Sequence, residues 1–315
     1  MRADSSLLFR SRVLFLTGKG GTGKTTLAAA VGRLAAAQGR RTVVVEVDNQ
    51  RPSLTAIFGV DPSHAPREVA KNLSISNVVW EEALDDWLSD IVSVPRIVRL
   101  IMKNKVVTVF LTATPGARDL VMLWRIYQLS RKFELVVVDL PASGNATAML
   151  GVPLTARRLF DSGPIRRCAE DLITFLHQKG VRLGLVALPE EMVVTETGET
   201  FARLRADHPG LDVPMVLLNR ATPPSLDPGE LALLARMETQ SFTGLGAELV
   251  GAGRWEADLE AASAASIARL AEQPGLPVLA LPVLARTVGP ARIVGQVASA
   301  LARSSSVPVD WMETG

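Results

Sequence analysis

The chain is short of cysteine, of histidine and of net charge, and each shortage removes a class of function. Its 315 residues hold one cysteine, Cys168. One thiol per chain forms no intrachain disulfide and no all-cysteine metal site, and it fits a reducing compartment. The three histidines, His64, His177 and His208, show no metal-ligand spacing. Lys and Arg number 34 against 32 Asp and Glu, a net charge of +2. That balance gives no electrostatic case for nucleic acid as a partner. No run of about 18 uncharged apolar residues occurs, so no integral membrane span is expected. Asp4, Arg10 and Arg12 interrupt the apolar pieces of the amino terminus, and no signal peptide is readable there. These absences predict a cytoplasmic protein.

What the chain has is ordinary core-forming material: 48% hydrophobic and 21% charged residues. Apolar runs of the buried-strand type recur at Val13–Thr17, Thr42–Val47, Leu135–Leu140, Val181–Leu188, Val213–Leu218 and Val278–Leu281, with Leu73–Val79 as a further candidate. Rich in Val and Leu and separated by helical patterns, they predict an α/β fold, a doubly wound and mainly parallel sheet covered on both faces. Residues 80–133 break the rhythm with helices that have no strand between them. Trp80, Leu84, Trp87, Leu88 and Ile91 make one apolar face there, ringed by Glu81, Glu82, Asp85, Asp86 and Asp90. A basic face of Arg96, Arg99 and Lys103 follows. A second insertion, Ser143–Gly180, reads as irregular. No internal repeat is visible, and one domain spans 1–315, with insertions at about 80–133 and 143–180 forming a helical subdomain on the core.

The most informative stretch is Val13-Leu-Phe-Leu-Thr-Gly-Lys-Gly-Gly-Thr-Gly-Lys-Thr-Thr26. Gly18, Gly20 and Gly23 satisfy G-x-G-x-x-G, the dinucleotide fingerprint, and Glu46 or Asp48 stands where a ribose-binding acid would. The same residues satisfy G-x-x-x-x-G-K-T, the triphosphate P-loop, through Gly18, Gly23, Lys24 and Thr25. The side chains separate the two. A dinucleotide has no need of a cation and two hydroxyls (Lys24, Thr25, Thr26) at the pyrophosphate, whereas ATP with Mg²⁺ uses all three. Backbone N–H groups of Gly20, Gly21, Thr22 and Gly23 would cradle phosphates beside the positive helix end. Lys24 would reach the β and γ oxygens, and Thr25 would ligate the metal.

A triphosphate site also needs a carboxylate on the metal side at the end of a buried strand. Phe133-Glu-Leu-Val-Val-Val-Asp-Leu140 places Asp139 there as a Walker B residue. Asp48 ends the strand after the P-loop helix, a place from which it could orient or deprotonate the attacking water.

With Lys19, Lys24, Asp48 and Asp139 placed, the chain resembles the deviant Walker A ATPases, whose K-G-G-x-G-K-[ST] motif appears intact as Lys19-Gly-Gly-Thr-Gly-Lys-Thr25. It is more similar to the arsenite-pump ATPases and their protein-targeting relatives (the ArsA family) than to the MinD and ParA partitioning ATPases. The order of Glu46-Val-Asp48, Leu73–Trp80 and its acidic helix, Thr114-Pro-Gly116, Asp139 with Gly144, Leu188-Pro-Glu-Glu191 with Thr195 and Glu196, and Asn219-Arg220 carries this likeness. The resemblance implies a homodimer, or a heterodimer with a paralogue, that sandwiches ATP or ADP with Mg²⁺. Lys19 would cross to the partner's nucleotide, Gly144 would lie at the phosphates, and Asn219 would recognise adenine. It further implies a helical groove for a client protein's hydrophobic helix. Trp80, Trp87, Ile97, Ile101, Trp124 and Tyr127 are candidates for that groove, though their pattern suits the subdomain's own core better.

Departures from the family pattern are plain. Its first switch, Asp-Pro-Ala-His, reads Asp48-Asn-Gln-Arg-Pro-Ser53 here, and its second, Asp-Thr-Ala-Pro-Thr-Gly-His, reads Asp139-Leu-Pro-Ala-Ser-Gly-Asn145. Both aspartates remain and both histidines are gone. The resemblance therefore implies nucleotide binding more firmly than rapid hydrolysis. A nucleotide-binding scaffold with little turnover is the alternative. The metalloid-binding cysteines and a second P-loop are absent, so arsenite pumping is not expected.

Overall fold

The computed structural model describes residues 3–47, 52–91, 116–284 and 289–306. Within them, β1 (Val13–Gly18), β2 (Thr42–Val47), β3 (Arg67–Ala70), β4 (Leu73–Val78), β5 (Leu135–Asp139), β6 (Val181–Ala187), β7 (Val216–Ala221) and β8 (Val278–Pro282) form one sheet. The strand order is β3-β4-β2-β5-β1-β6-β7-β8. Every neighbouring pair is parallel except β3 with β4. All six residues of β1 and of β2, and all five of β5, are buried, as a strand covered on both faces requires.

The alternation of side chains sorts these strands between two cores. Leu14, Leu16, Val44 and Val137 point into a cluster with α2 (Lys24–Ala37) and α11 (Pro290–Arg303). Val13, Phe15, Val43, Val45, Val136 and Val138 point into the other. That second face is covered by α4 (Trp80–Ile91), α5 (Ala117–Ser130), α6 (Ser143–Leu159), α7 (Pro164–Leu176) and α8 (Glu191–Asp207). Gly32 of α2 is dictated by closeness: a Cβ there would stand 2.4 Å from Val44 Cγ2.

The stretch 143–180, which reads as irregular in sequence, is chiefly the two helices α6 and α7. Pro153 stands inside α6, where proline is usually excluded, while Gly163 and Pro164 fall at a helix start. Pro164 opens α7 at its first turn, where the missing N–H costs nothing, and Gly163 precedes it at φ 92°. Trp80 and Trp87 are buried at 4% and 6% exposure, so they are core rather than an open groove. Trp124 and Tyr127 pack partly buried against the same core. The other groove candidates, Ile97 and Ile101, and the basic face of Arg96, Arg99 and Lys103, lie outside the described residues. A polar rivet joins α4 to α5: Asp86 Oδ2 receives Arg125 Nη1 at 3.0 Å and is hydrogen-bonded to His64 Nε2 at 2.9 Å.

The described residues also include the shorter helices α1 (Ser6–Phe9), α3 (Ser53–Phe58) and α9 (Pro228–Glu238), the last followed by the long α10 (Leu245–Ala271). No helix among the described residues is long and apolar enough to cross a membrane.

Candidate functional site

In an open parallel sheet, ligands bind at the carboxyl ends of the strands where the strand order reverses. Here that point is β1, whose chain leads into α2 while its neighbours β5 and β6 come from later in the sequence. The loop 18–23 between β1 and α2 is held from the side by β6 and β7. Gly18, at φ 151°, lies so close to β6 that a Cβ would stand 2.0 Å from the Val186 carbonyl oxygen. Gly23, at φ 91°, would bring a Cβ to 2.5 Å from Asn219 Nδ2 at the end of β7. Gly20 and Gly21 meet nothing within 4 Å, which leaves their backbone open on the outer side of the turn. Gly18→Ala is expected to cost at least about 3 kcal/mol, since both the backbone angle and the contact with rigid backbone oppose it. Chemical denaturation measures this directly.

Lys24 begins α2, and its ammonium folds back over the loop, donating to the carbonyls of Gly18 and Lys19 at 3.1 Å each. Burial pulls its pKa down, while the nearby Asp139 charge pulls it up by less. One residue on, the Thr25 hydroxyl donates to Asp139 Oδ2 across the β1–β5 junction. Asp139 is 9% exposed, and its second oxygen, Oδ1, is buried with no hydrogen-bond partner. Burial lifts its carboxyl to about 6; the Thr25 hydrogen bond and Lys24 oppose the rise, and Glu46 adds to it. Thr26 follows in the first turn of α2.

Lys19 is only half-buried, with Nζ 4.0 Å from Glu196 Oε2 on α8. Ser143, the first residue of α6, donates its hydroxyl to the other Glu196 oxygen at 2.5 Å. Gly144 is next in that turn, and a Cβ there would meet nothing within 4 Å. The Asn219 amide braces the loop. Nδ2 donates to the Thr22 carbonyl at 2.8 Å, and Oδ1 accepts from the N–H of Arg220 at 3.0 Å. One amide hydrogen and one lone pair remain for another group. Arg220 sits at φ 56°, a left-handed conformation that costs a non-glycine residue about 1 kcal/mol. Asp48 lies outside the described residues.

The structure thus brings Gly18, Lys19, Gly20, Gly21, Thr22, Gly23, Lys24, Thr25, Asp139 and Asn219 to one end of the sheet. Two further residues belong to it that motif reading did not pick out by role. Glu196 stands beside the Lys19 ammonium, and Ser143 donates to the same carboxylate. They are far apart in sequence, and nothing in either local pattern marks a pairing with the loop. Glu46, in contrast, is taken up by structure: its carboxylate accepts the N–H groups of Ser53 and Leu54 at 2.9 and 2.8 Å, capping α3. A ribose-binding role is therefore closed to it, which removes one support of the dinucleotide reading. Cys168 is buried and accepts a hydrogen bond from Trp87 Nε1 at 3.3 Å, and burial pushes its thiol up to about 12, so it is a quiet core thiol. Among the described residues no cluster of three or more His, Cys, Asp or Glu could hold a metal by itself.

The family comparison agrees with this geometry. The model of the anion-transporting ATPases (ArsA_ATPase) matches residues 11–183, and the chain belongs to that family of P-loop ATPases. ATPase BagA of Mycobacterium tuberculosis is 29% identical over 244 residues, covering 73% of this chain and 71% of the relative. An uncharacterized protein of Streptomyces coelicolor is 35% identical over 150 residues, 47% of this chain and 38% of the relative. A protein of Chlorobaculum tepidum, described as a candidate arsenical pump-driving ATPase, is 29% identical over 147 residues, 46% and 36% respectively.

Proposed function

We propose that this chain is a Mg²⁺-dependent ATPase that acts as a dimer and uses nucleotide binding and hydrolysis as a conformational switch on a protein client. One observation carries the reading. Thr25 and Asp139 converge two hard oxygen ligands beside the Lys24 ammonium, and Asp139 keeps a buried oxygen without a partner. That donor set suits Mg²⁺, which prefers oxygen ligands and retains several waters. When bound, the metal would neutralise charge on the β and γ phosphates.

The chain's own groups do the rest. Loop amides at 20–23 and the amino end of α2 hold phosphate oxygens. Lys24 exchanges its two carbonyl partners for phosphate. Lys19, held weakly by Glu196, is free to swing toward a neighbouring nucleotide and lend its charge as the γ-phosphate leaves. Asp48 is assigned the attacking water on its position after β2. Asn219, which anchors the loop, offers its remaining donor and acceptor to adenine.

Single-turnover hydrolysis with Mg·ATP tests this reading. Turnover should be measurable, lost on chelation of the metal, and accompanied by dimer formation. Tight binding of Mg·ATP with no turnover would instead favour a nucleotide-sensing scaffold, the reading that the two missing switch histidines support. Failure to bind Mg·ATP would end both readings. The neighbouring Glu196 gives a second check. Glu196→Gln is expected to change the hydrolysis rate by less than about tenfold, because an exposed ion pair is worth at most about 1 kcal/mol.

A further inference from the structure

The helical pair α9–α10 is built unlike the rest of the molecule. Asp227 opens it with a capping box to Glu230, yet α9 buries none of its residues. Along α10 only Ser263, Ser266 and Leu270 are buried, all in its last third. Two contacts show where the free part stands. The Thr222 N–H, just past the end of β7, donates to Ser263 Oγ at 2.9 Å, and the Ser225 N–H donates to Glu260 at 2.8 Å. Residues 245–262 therefore rise beyond the carboxyl edge of the sheet, about 27 Å at 1.5 Å per residue. Since β1, β6 and β7 are parallel, this is the edge that carries the phosphate loop.

The arm is apolar and acidic. Leu231, Leu233, Phe242, Leu245, Leu249 and Trp255 are 36–71% exposed on it. Residues 227–260 hold seven carboxylates against two arginines, one of which, Arg254, pairs with Glu238 and Asp258. Among the described residues, the turn from α6 to α7 has the opposite character. There Leu159 is 72% and Phe160 36% exposed. Residues 157–167 hold Arg157, Arg158, Arg166 and Arg167 against Asp161 alone, with Arg166 turned to Glu170.

We infer that the α9–α10 arm of one copy of this chain docks on the α6–α7 corner of a second copy, and that the exchange is reciprocal about a two-fold axis. The pairing joins apolar to apolar and carboxylate to guanidinium, and it uses two exposed patches of the described residues. An arm about 27 Å long and two helices, about 20 Å, wide offers on the order of 500 Å². A protomer that gives one arm and one corner thus buries on the order of 1,000 Å², above the roughly 800 Å² per partner of a stable interface. An anionic lipid surface is the wrong occupant for so acidic a face. The inference rests on the chain dimerising, and it names what holds the two copies together outside the nucleotide.

A charge-swap experiment decides it, using the full chain and sedimentation with and without Mg·ATP. Variant one carries Glu238→Arg, Glu248→Arg and Glu256→Arg on the arm, which reverses its net charge; variant two carries Arg157→Glu and Arg158→Glu on the corner, which reverses that of the corner. Each alone should weaken dimerisation at least about tenfold, because arm and corner then repel. An equimolar mixture should return to within about threefold of wild type, since both contacts in the mixed dimer are again complementary. A wild type that dimerises while both variants dimerise equally well overturns the arm exchange but leaves the nucleotide-bridged dimer standing. Weakened variants that the mixture does not rescue place the arm on some other surface, a client or a second arm, and overturn it too. A wild type that stays monomeric with Mg·ATP ends the dimer reading along with the exchange.

Discussion

Lys19→Ala is expected to lower single-turnover ATP hydrolysis about 10³-fold, the low end of what a charge supplied across an interface contributes. The affinity for Mg·ATP should stay within about threefold, because the contacts proposed to hold ground-state phosphate are those of the loop amides and Lys24. The geometry motivates this split. Lys24 is partly buried against the loop and donates to two of its carbonyls, whereas Lys19 is 45% exposed and has only a 4.0 Å contact to Glu196. A side chain so placed adds little to binding within its own subunit and is free to act elsewhere. Mixing Lys19→Ala with a variant that cannot bind nucleotide sharpens the test. If Lys19 acts in trans, the intact nucleotide site faces the intact Lys19 only in certain mixed dimers, and activity reappears in the mixture. A Lys19→Ala protein that hydrolyses ATP at the wild-type rate would remove the lysine from the mechanism.

The other large effect concerns Asp139. Asp139→Asn is expected to reduce turnover at least about 10²-fold, because it removes the charge that would face the metal. It is also expected to stabilise the unliganded protein. Burial lifts this carboxyl from the usual 3.8 to about 6. The folded protein keeps the proton up to about pH 6, while the unfolded chain releases it near 3.8. Folding stability therefore falls as pH rises across that window and stays lower above it, by about 3 kcal/mol for a shift of about two units. The asparagine variant lacks this penalty. Its melting temperature should exceed wild type's by several degrees at pH 8, and the two should converge below pH 4. Mg·ATP should raise the melting temperature of wild type far more than that of the variant. Equal melting at pH 8 would show that the buried carboxylate is not under strain, and the metal-side role would lose its physical basis. A measured cost of this kind at a buried carboxylate with one oxygen left bare is what the proposed metal-side role would explain.

The limits of motif reading are clearest at the edges of this molecule. β3 carries no strand signal in sequence because Arg67–Ala70 is an exposed edge strand, and an antiparallel partner on one side gives no apolar run. The helical character of 143–180 is legible in sequence but its helix bounds are not, because Gly163, Pro164 and Pro153 mark breaks in most sequences and here sit inside or at the start of helices. The candidate groove residues Trp80 and Trp87 look the same in sequence whether they face a client or a core; only packing shows them buried.

By itself the sequence determined the strands and their α/β class, because a strand buried on both faces must be a short run of Val and Leu whatever its neighbours are. It also determined the phosphate loop, since its glycines, lysine and threonines lie within nine consecutive positions and act through local backbone. Tertiary structure alone decided what depends on distance across the chain. Thr25 meets Asp139 because β1 and β5 are adjacent, Asn219 reaches Thr22 because β7 ends beside the loop, and Glu196 meets Lys19 because α8 passes over it. The exposed arm is likewise invisible in sequence, because helix propensity and apolar spacing look the same whether or not anything covers the helix.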